Sequence, residues 1–172
     1  IYAYKATDIA ITGEGTIDGG GNMETWWPMC GHKRFNYKEG ITKEAQCLGS
    51  RAKLLKQAED GVDFDQRKFG LGQGLRPQLI NFVRSERILI QGVKLLNSPF
   101  WVIHPLLCKN ITVKGVTIWN EGPNGDGCDP EACENVLIED VLVRNPAYAQ
   151  NGDGLDLESC KNALIVNSTF DV

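Results

Sequence analysis

Apolar residues in the second half of the chain return at fixed places in a repeating unit. Four segments align without gaps: SERILIQGVKLLN (85–97), CKNITVKGVTIWN (108–120), CENVLIEDVLVRN (133–145) and CKNALIVNSTFDV (160–172). Mainly aliphatic residues fill the fourth and sixth positions: Ile88 and Ile90, Ile111 and Val113, Val136 and Ile138, Ala163 and Ile165. A small or turn-forming residue follows at the eighth (Gly92, Gly115, Asp140, Asn167), and apolar character returns at the eleventh (Leu95, Ile118, Val143, Phe170). An earlier copy, TDIAITGEGTIDG, fits with one extra residue near its glycines. Alternation with period two that shifts phase at a small residue reads as strand, bend, strand and not as helix. The starts lie 23, 25 and 27 residues apart, and a period in the twenties means stacked units, none able to bury its own apolar face. The L-x-x-L-x-L pattern of a leucine-rich repeat is absent. The expected fold is therefore all-β: a right-handed parallel β-helix with two short strands per turn and like positions about 4.8 Å apart on successive turns. Cys108, Cys133 and Cys160 are expected to form one inward ladder, and Asn97, Asn120 and Asn145 another at a turn, bonding to exposed backbone groups.

Residues 23–75 interrupt the repeat. Within them TKEAQCLGSRAKLLKQAEDG has helix-forming composition, with Thr42 as a candidate cap and Gly61 as a stop, so a short helix-bearing insertion or long loop is expected inside a single domain spanning 1–172. The glycines of FGLGQGLRP (69–77) precede Arg76-Pro77 and another strand, which suits an ordinary loop better than a phosphate cradle between strand and helix. The last repeat unit ends at Val172 with no capping turn in view. A solenoid needs one, so the native protein is expected to continue.

Composition narrows the function. The chain has 172 residues, 42% hydrophobic and 23% charged, with a formal net charge of −4. That balance suits one soluble domain and lacks the basic footprint of a nucleic-acid binder. An anionic substrate would need a local basic patch. No run of eighteen or more apolar residues is present, so no membrane span is expected. Six cysteines are too sparse for a disulfide-dense scaffold; Cys30, Cys47 and Cys128 sit in loop-like sequence, and the other three fit buried thiols.

Two segments repeat more closely than a core requires: PNGDGCDPEACENVLI (123–138) and QNGDGLDLESCKNALI (150–165). At an offset of 27, Asn124, Asp126, Asp129 and Glu131 match Asn151, Asp153, Asp156 and Glu158. One copy alone suits a glycine-rich turn whose Asn and Asp satisfy local backbone groups. Two copies on adjacent turns bring Asp126 near Asp153, and like charges that close pull two titrations apart, which supplies an acid and a base at one pH. The flanking glycines are expected to leave room for a sugar ring. The spacing matches neither an EF-hand loop nor the nonapeptide calcium repeat, and Cys30-Gly31-His32 is a weak zinc pair without a partner pair. No metal or cofactor is expected. No G-x-S-x-G or P-loop occurs, and only His32 and His104 could serve a histidine-based triad.

These residues resemble the polygalacturonase family of glycoside hydrolases, family 28. ITGEGTIDGGG with Trp26-Trp27 is similar to the family's opening turn, RPQLINF and LLNSPFWVIHPLLCKNITVKGVTI to its middle turns, and NGDGLDLESCKNALI to the turn bearing its first catalytic aspartate. The resemblance implies hydrolysis of a pectic polysaccharide or oligogalacturonide with inversion, one carboxylic acid protonating the glycosidic oxygen and others activating a water. Inverting carboxyl groups generally stand about 6.5–9.5 Å apart. By the family's N-T-D motif, Asp153 takes a share of the general-base role and Asn151 positions substrate or loop; Gly152 replaces the motif's threonine. The family's Asp-Asp pair, Gly-His-Gly and Arg-x-Lys are absent from residues 1–172, so the general acid is expected outside them. Asp126 carries the same motif. One turn on from Asp153 leads to the place of the family's aspartate pair, whereas one turn on from Asp126 leads to Asp153, so Asp153 is the catalytic candidate and Asp126 a neighbouring subsite. Asn124 and Asp156 join the substrate-binding set. His104 in FWVIHP suits either sugar contact or a buried, satisfied histidine. The resemblance further implies a secreted or periplasmic protein. Competing readings are a non-catalytic β-helix that binds polysaccharide along its ladders and a calcium-dependent pectate lyase-like β-helix.

Overall fold

The computed structural model of the protein describes residues 1–38, 44–70, 73–146 and 149–172. They form two compact units, Ile1–Gly21 with Gln78–Val172, and Asn22–Pro77.

The first unit is a stack of parallel strands in three sheets. One sheet holds β2 (Thr7–Thr12), β5 (Glu86–Gln91), β8 (Lys109–Lys114), β10 (Glu134–Glu139) and β12 (Lys161–Val166), in the order β12-β10-β8-β5-β2. A second holds β3 (Thr16–Asp18), β6 (Lys94–Leu96), β9 (Thr117–Trp119), β11 (Leu142–Arg144) and β13 (Thr169–Asp171). Chain order and spatial order agree, as in a parallel β-helix. The register brings like positions together: Ile9, Ile88, Ile111, Val136 and Ala163 pair in turn, and so do Ile11, Ile90, Val113, Ile138 and Ile165. Ile88, Ile111, Val136, Ile90, Val113 and Ile138 are buried, whereas Ala163 and Ile165 on β12 are exposed. The bend at the eighth position is left-handed in every copy, with φ of 78° at Gly92, 60° at Gly115, 54° at Asp140 and 48° at Asn167. Glycine, asparagine and aspartate bear that conformation most easily, which explains why the repeat is punctuated there.

The expectation of two strands per turn falls short. A third sheet, β1 (Tyr2–Tyr4), β4 (Ile80–Val83) and β7 (Ile103–Leu106), precedes the other two on each of the first three turns. Its strands hide from a period-two search because they are short and covered on both sides: Ile80, Phe82 and Val83 are buried, as are Ile103, His104 and Pro105.

The cysteine ladder forms as expected. Cys108, Cys133 and Cys160 donate to the carbonyls of Phe82, Pro105 and Pro130 at 3.2, 3.2 and 3.0 Å. All three are free thiols. Cys128 is no loop thiol; it bridges Ile103 and Leu155 inside the core, and burial pushes its thiol up to about 12. The asparagine ladder is displaced. A side-chain amide ladder runs through the third position of the repeat, Asn162 to Asn135 at 3.1 Å and Asn135 to Asn110 at 2.9 Å. Of the predicted ladder, Asn97 bonds Asp18, whereas Asn120 and Asn145 bond backbone groups as expected, Asn120 Oδ1 accepting from Gly122 N at 3.5 Å. Alternating charge lies alongside, with Glu134 3.6 Å from Lys109 and 3.2 Å from Lys161.

The second unit carries α1, Glu44–Glu59. It stops as the sequence predicts. Gly61 adopts φ 69°, Val62 N donates to Gln57 O at 2.9 Å and Gly61 N to Ala58 O at 3.2 Å, the paired bonds of a Schellman end. Thr42, the predicted cap, lies outside the described residues. Gly70 and residues 73–77 form neither helix nor strand, in line with an ordinary loop.

Burial of the stacked aliphatics predicts a sharp contrast between faces. Ile138→Ala should cost about 2–5 kcal/mol through lost burial and a cavity. Lys114→Ala, at an outward-facing position, should stay within about 0.5 kcal/mol. Urea unfolding of the two variants checks this, and equal losses would contradict the inward assignment.

Candidate active site

On the fourth and fifth turns the third sheet thins to single bridges. Cys128 pairs with Ile103 and Leu155, and Glu131 with Leu106 and Glu158. Glycine and proline, which weaken a β ladder, explain the thinning: Gly125, Gly127 and Pro130 fall in this stretch. The two N-G-D-G-x-D segments therefore leave the sheet as loops but keep its register. Asn124 N donates to Gln150 O at 2.7 Å, Gly127 N to Asp153 O at 2.9 Å and Ala132 N to Glu158 O at 2.8 Å. Asp126 thus lies against Asp153, and its Oδ1 accepts the Asp153 N–H at 3.1 Å.

The expected room for a sugar does not exist at two of the glycines. A Cβ on Gly127 would sit 2.6 Å from the Gly154 carbonyl oxygen and 2.8 Å from the Val143 side chain. One on Gly154 would sit 2.7 Å from Phe170 Cβ. These glycines let the loops close down on the core.

Burial and like charge set the electrostatics. Asp126 is 8% exposed. Burial pushes its carboxyl up to about 6, with help from the charges of Asp153 and Asp156, against the Asp153 amide and a hydrogen bond from the Trp101 side chain. Asp129 is 7% exposed, and neither of its oxygens has a hydrogen-bond partner among the described residues. Burial, then the charges of Asp126, Asp156, Asp153 and Glu131, push it up to about 8. A lone carboxylate out of water is costly, so burial favours the protonated form of Asp129.

His104, on β7, is 4% exposed. Asn81 Nδ2 donates to its Nδ1 at 2.8 Å, which assigns the ring proton to Nε2, 3.2 Å from Glu131 Oε2. Burial lowers the ring's pKa and outweighs the Glu131 carboxylate, which raises it. The Trp101 indole packs on the imidazole at 4.8 Å between centroids, and Phe100 stacks on Trp101 at 4.7 Å. Aromatic rings thus lie beside the carboxylates.

Asn151, Asp153 and Asp156 are exposed and Asn124 is half-buried, whereas Asp126 and His104 are buried. All six lie on the third-sheet side of the first unit. Asp129 and Trp101 were assigned no role from sequence, and Asn145 was assigned only a place in the turn ladder. Asp129 carried a signal in its match to Asp156. Trp101 precedes Asp126 by 25 residues, one turn of the repeat. Asn145 was expected to bond backbone groups at its turn and does so, at Gly125 O and Gly152 O; no sequence offset reveals which carbonyls a buried amide meets.

Comparison with known proteins bears on the family and the fold. Residues 67–145 match the sequence model for glycosyl hydrolases family 28, a stretch that includes the first acidic loop. A probable polygalacturonase of Vitis vinifera is 33% identical over 146 residues, 83% of this chain and 22% of that protein. A polygalacturonase of Cryptomeria japonica is 27% identical over 78% of this chain and 20% of its own length. Among solved structures, a hyperthermoactive exopolygalacturonase from Thermotoga maritima superposes with a TM-score of 0.75 at 41% identity, covering 84% of this chain and 32% of that one. A polygalacturonase from Erwinia carotovora shares the fold at 21% identity and a TM-score of 0.56, covering 97% of this chain and 38% of that one. With its stacked acidic loops on a β-helix, the chain is similar to glycosyl hydrolases family 28. It spans about a fifth of the length of these curated relatives.

The raised carboxyls predict how stability varies with pH. Asp126 and Asp129 bind protons more tightly in the folded chain than in the unfolded one. Their contribution is full below the ordinary value of 3.8 and is lost as pH rises through about 6 and about 8. His104 has the opposite sign, losing stability as pH falls below the ordinary 6.5 and through its lowered value. Asp129→Asn should therefore raise the melting temperature at pH 8 relative to the parent, with the gain vanishing near pH 4. Thermal melts of both proteins across that range check it, and a pH-independent difference would contradict the assignment.

Proposed function

We propose that the full-length protein hydrolyses glycosidic bonds of a pectic backbone, polygalacturonate or a related galacturonate-containing polysaccharide, with inversion at the anomeric carbon. The observation that carries this reading is the pair of N-G-D-G-x-D loops stacked in register on a β-helix similar to family 28. It is supported by the similarity to proteins named polygalacturonase and exopolygalacturonase. In this reading the exposed Asp153 carboxylate takes the proton from a water as the water oxygen bonds to the anomeric carbon. The carbon–oxygen bond to the leaving sugar breaks, and its oxygen is protonated by an acid assigned to no residue of this chain. Inversion follows because water enters opposite the leaving group.

The remaining side chains divide by exposure. Asn151 and Asp156, exposed, and Asn124, half-buried, are assigned to sugar hydroxyls. His104, with both ring nitrogens occupied, and Asp126, bonded to the Asp153 amide, shape the site from within the wall. Phe100 and Trp101 border it with an aromatic surface that suits the apolar face of a pyranose. Action on a cell-wall polysaccharide fits a secreted or periplasmic protein.

Replacing a general base typically costs about 10²–10⁴-fold. Asp153→Asn in the full-length protein should therefore depress kcat on polygalacturonate by about 10²-fold or more with KM little changed. Release of reducing ends measures the rate, and proton NMR of the first product should find the anomer opposite to the substrate linkage. Retained turnover by Asp153→Asn would remove Asp153 from the chemistry, and a retained anomer would exclude inversion.

A further inference from the structure

We propose that Asp126 and Asn145 are positioning residues that grip the Gly152–Asp153 peptide unit at its two poles and so aim the Asp153 side chain. The inference rests on the reading that Asp153 serves catalysis. The Gly152 carbonyl accepts from Asn145 Nδ2 at 3.0 Å. On the far side of the same peptide, the Asp153 N–H donates to Asp126 Oδ1 at 3.1 Å. A trans peptide is planar, with its C=O and N–H pointing in opposite directions. Partners on both sides therefore oppose rotation of the plane, and with it the swing of the Cα–Cβ bond that carries the Asp153 carboxylate.

Both partners are themselves held. Asn145 is 4% exposed, and its Nδ2 also reaches Gly125 O at 3.1 Å and Asp153 O at 3.4 Å. One buried amide thus ties the two loops together. Asp126 is 8% exposed, held within the wall. As a charged or charge-sharing acceptor it makes a stronger bond to a backbone N–H than a neutral group would.

The two-sided grip belongs to the second loop; in the first, Gly125 O also accepts from Asn145 Nδ2 at 3.1 Å, but the equivalent support at the N–H pole differs. One turn earlier in the register, Trp101 stands where Asp126 would be needed, and an indole has no acceptor. Asn120 stands where Asn145 would be needed, and its Nδ2 has no hydrogen-bond partner among the described residues. Two loops of nearly the same sequence are therefore supported differently, and the exposed aspartate is the one whose peptide is clamped.

The test uses the full-length protein. Asp126→Asn keeps an acceptor oxygen in place. Asp126→Ala and Asp126→Leu remove it, and Leu fills the volume without burying a charge, which commonly preserves or raises stability. Deuterium exchange of the segment 150–155 reads the clamp, and kinetics on polygalacturonate read its consequence. Asp126→Ala and Asp126→Leu should speed exchange at the Asp153 amide by about 10-fold or more. They should also lower kcat by about 10-fold or more with KM within about twofold, since a small misplacement of a reacting group is costly. Asp126→Asn should restore both values to near those of the parent. Unchanged exchange in the Ala and Leu variants would overturn the clamp. A rise in KM at constant kcat would also overturn it, because that is the mark of direct substrate contact. Faster exchange together with full activity in Asp153→Asn would leave the clamp standing and remove the catalytic role of Asp153 instead.

Discussion

Parallel hydrogen bonding between successive turns is the constraint on which the rest of the molecule depends. In a parallel pair every residue meets its own counterpart one turn later, so a side chain that suits its place once must suit it again. The inward aliphatics, the thiols of Cys108, Cys133 and Cys160, and the amides of Asn110, Asn135 and Asn162 all stack for this reason. A slip of one residue would turn the aliphatics outward. It would also separate Lys109 and Lys161 from Glu134, so the burial pattern and the charges favour the same register.

The same constraint creates the acidic site. Repeating Asn-Gly-Asp-Gly-x-Asp one turn later places like charge on like charge, which open solvent would tolerate and a β-helix wall does not. The conflict is resolved by division of labour. Asp126 is turned inward and accepts from the Asp153 amide, Asp129 is buried with its protonated form favoured, and Asp153 and Asp156 remain exposed. Four aspartates in two copies of one motif thus occupy three environments. Burial and neighbouring charge therefore set the two copies of the motif apart although their sequences match.

Much of the fold was legible from sequence, and the reason is physical. The strands of the two long sheets alternate buried and outward residues, and their bends use residues that accept positive φ, so Ile88 to Ile90 and Gly92 announce themselves. The third sheet was not legible, because Ile80–Val83 and Ile103–Leu106 are covered on both faces and do not alternate. In the site, the duplication exposed Asp126 and Asp153 as a stacked pair. It could not separate their environments, because burial of Asp126 and support of Asp153 come from Trp101 and Asn145, which the motif does not include. The glycines misled for a related reason. Gly127 and Gly154 flank the carboxylates in sequence, yet the space beside them belongs to Val143 and Phe170.

A crystal structure of the full-length Asp153→Asn protein with a bound oligogalacturonide tests the stacked-loop site most directly. The glycosidic oxygen and anomeric carbon should lie beside residue 153, with Asn151 and Asp156 on sugar hydroxyls and Asp126 still bonded to the residue 153 amide beneath the ligand. A saccharide in direct contact with Asp126, or one bound away from both N-G-D-G-x-D loops, would contradict it.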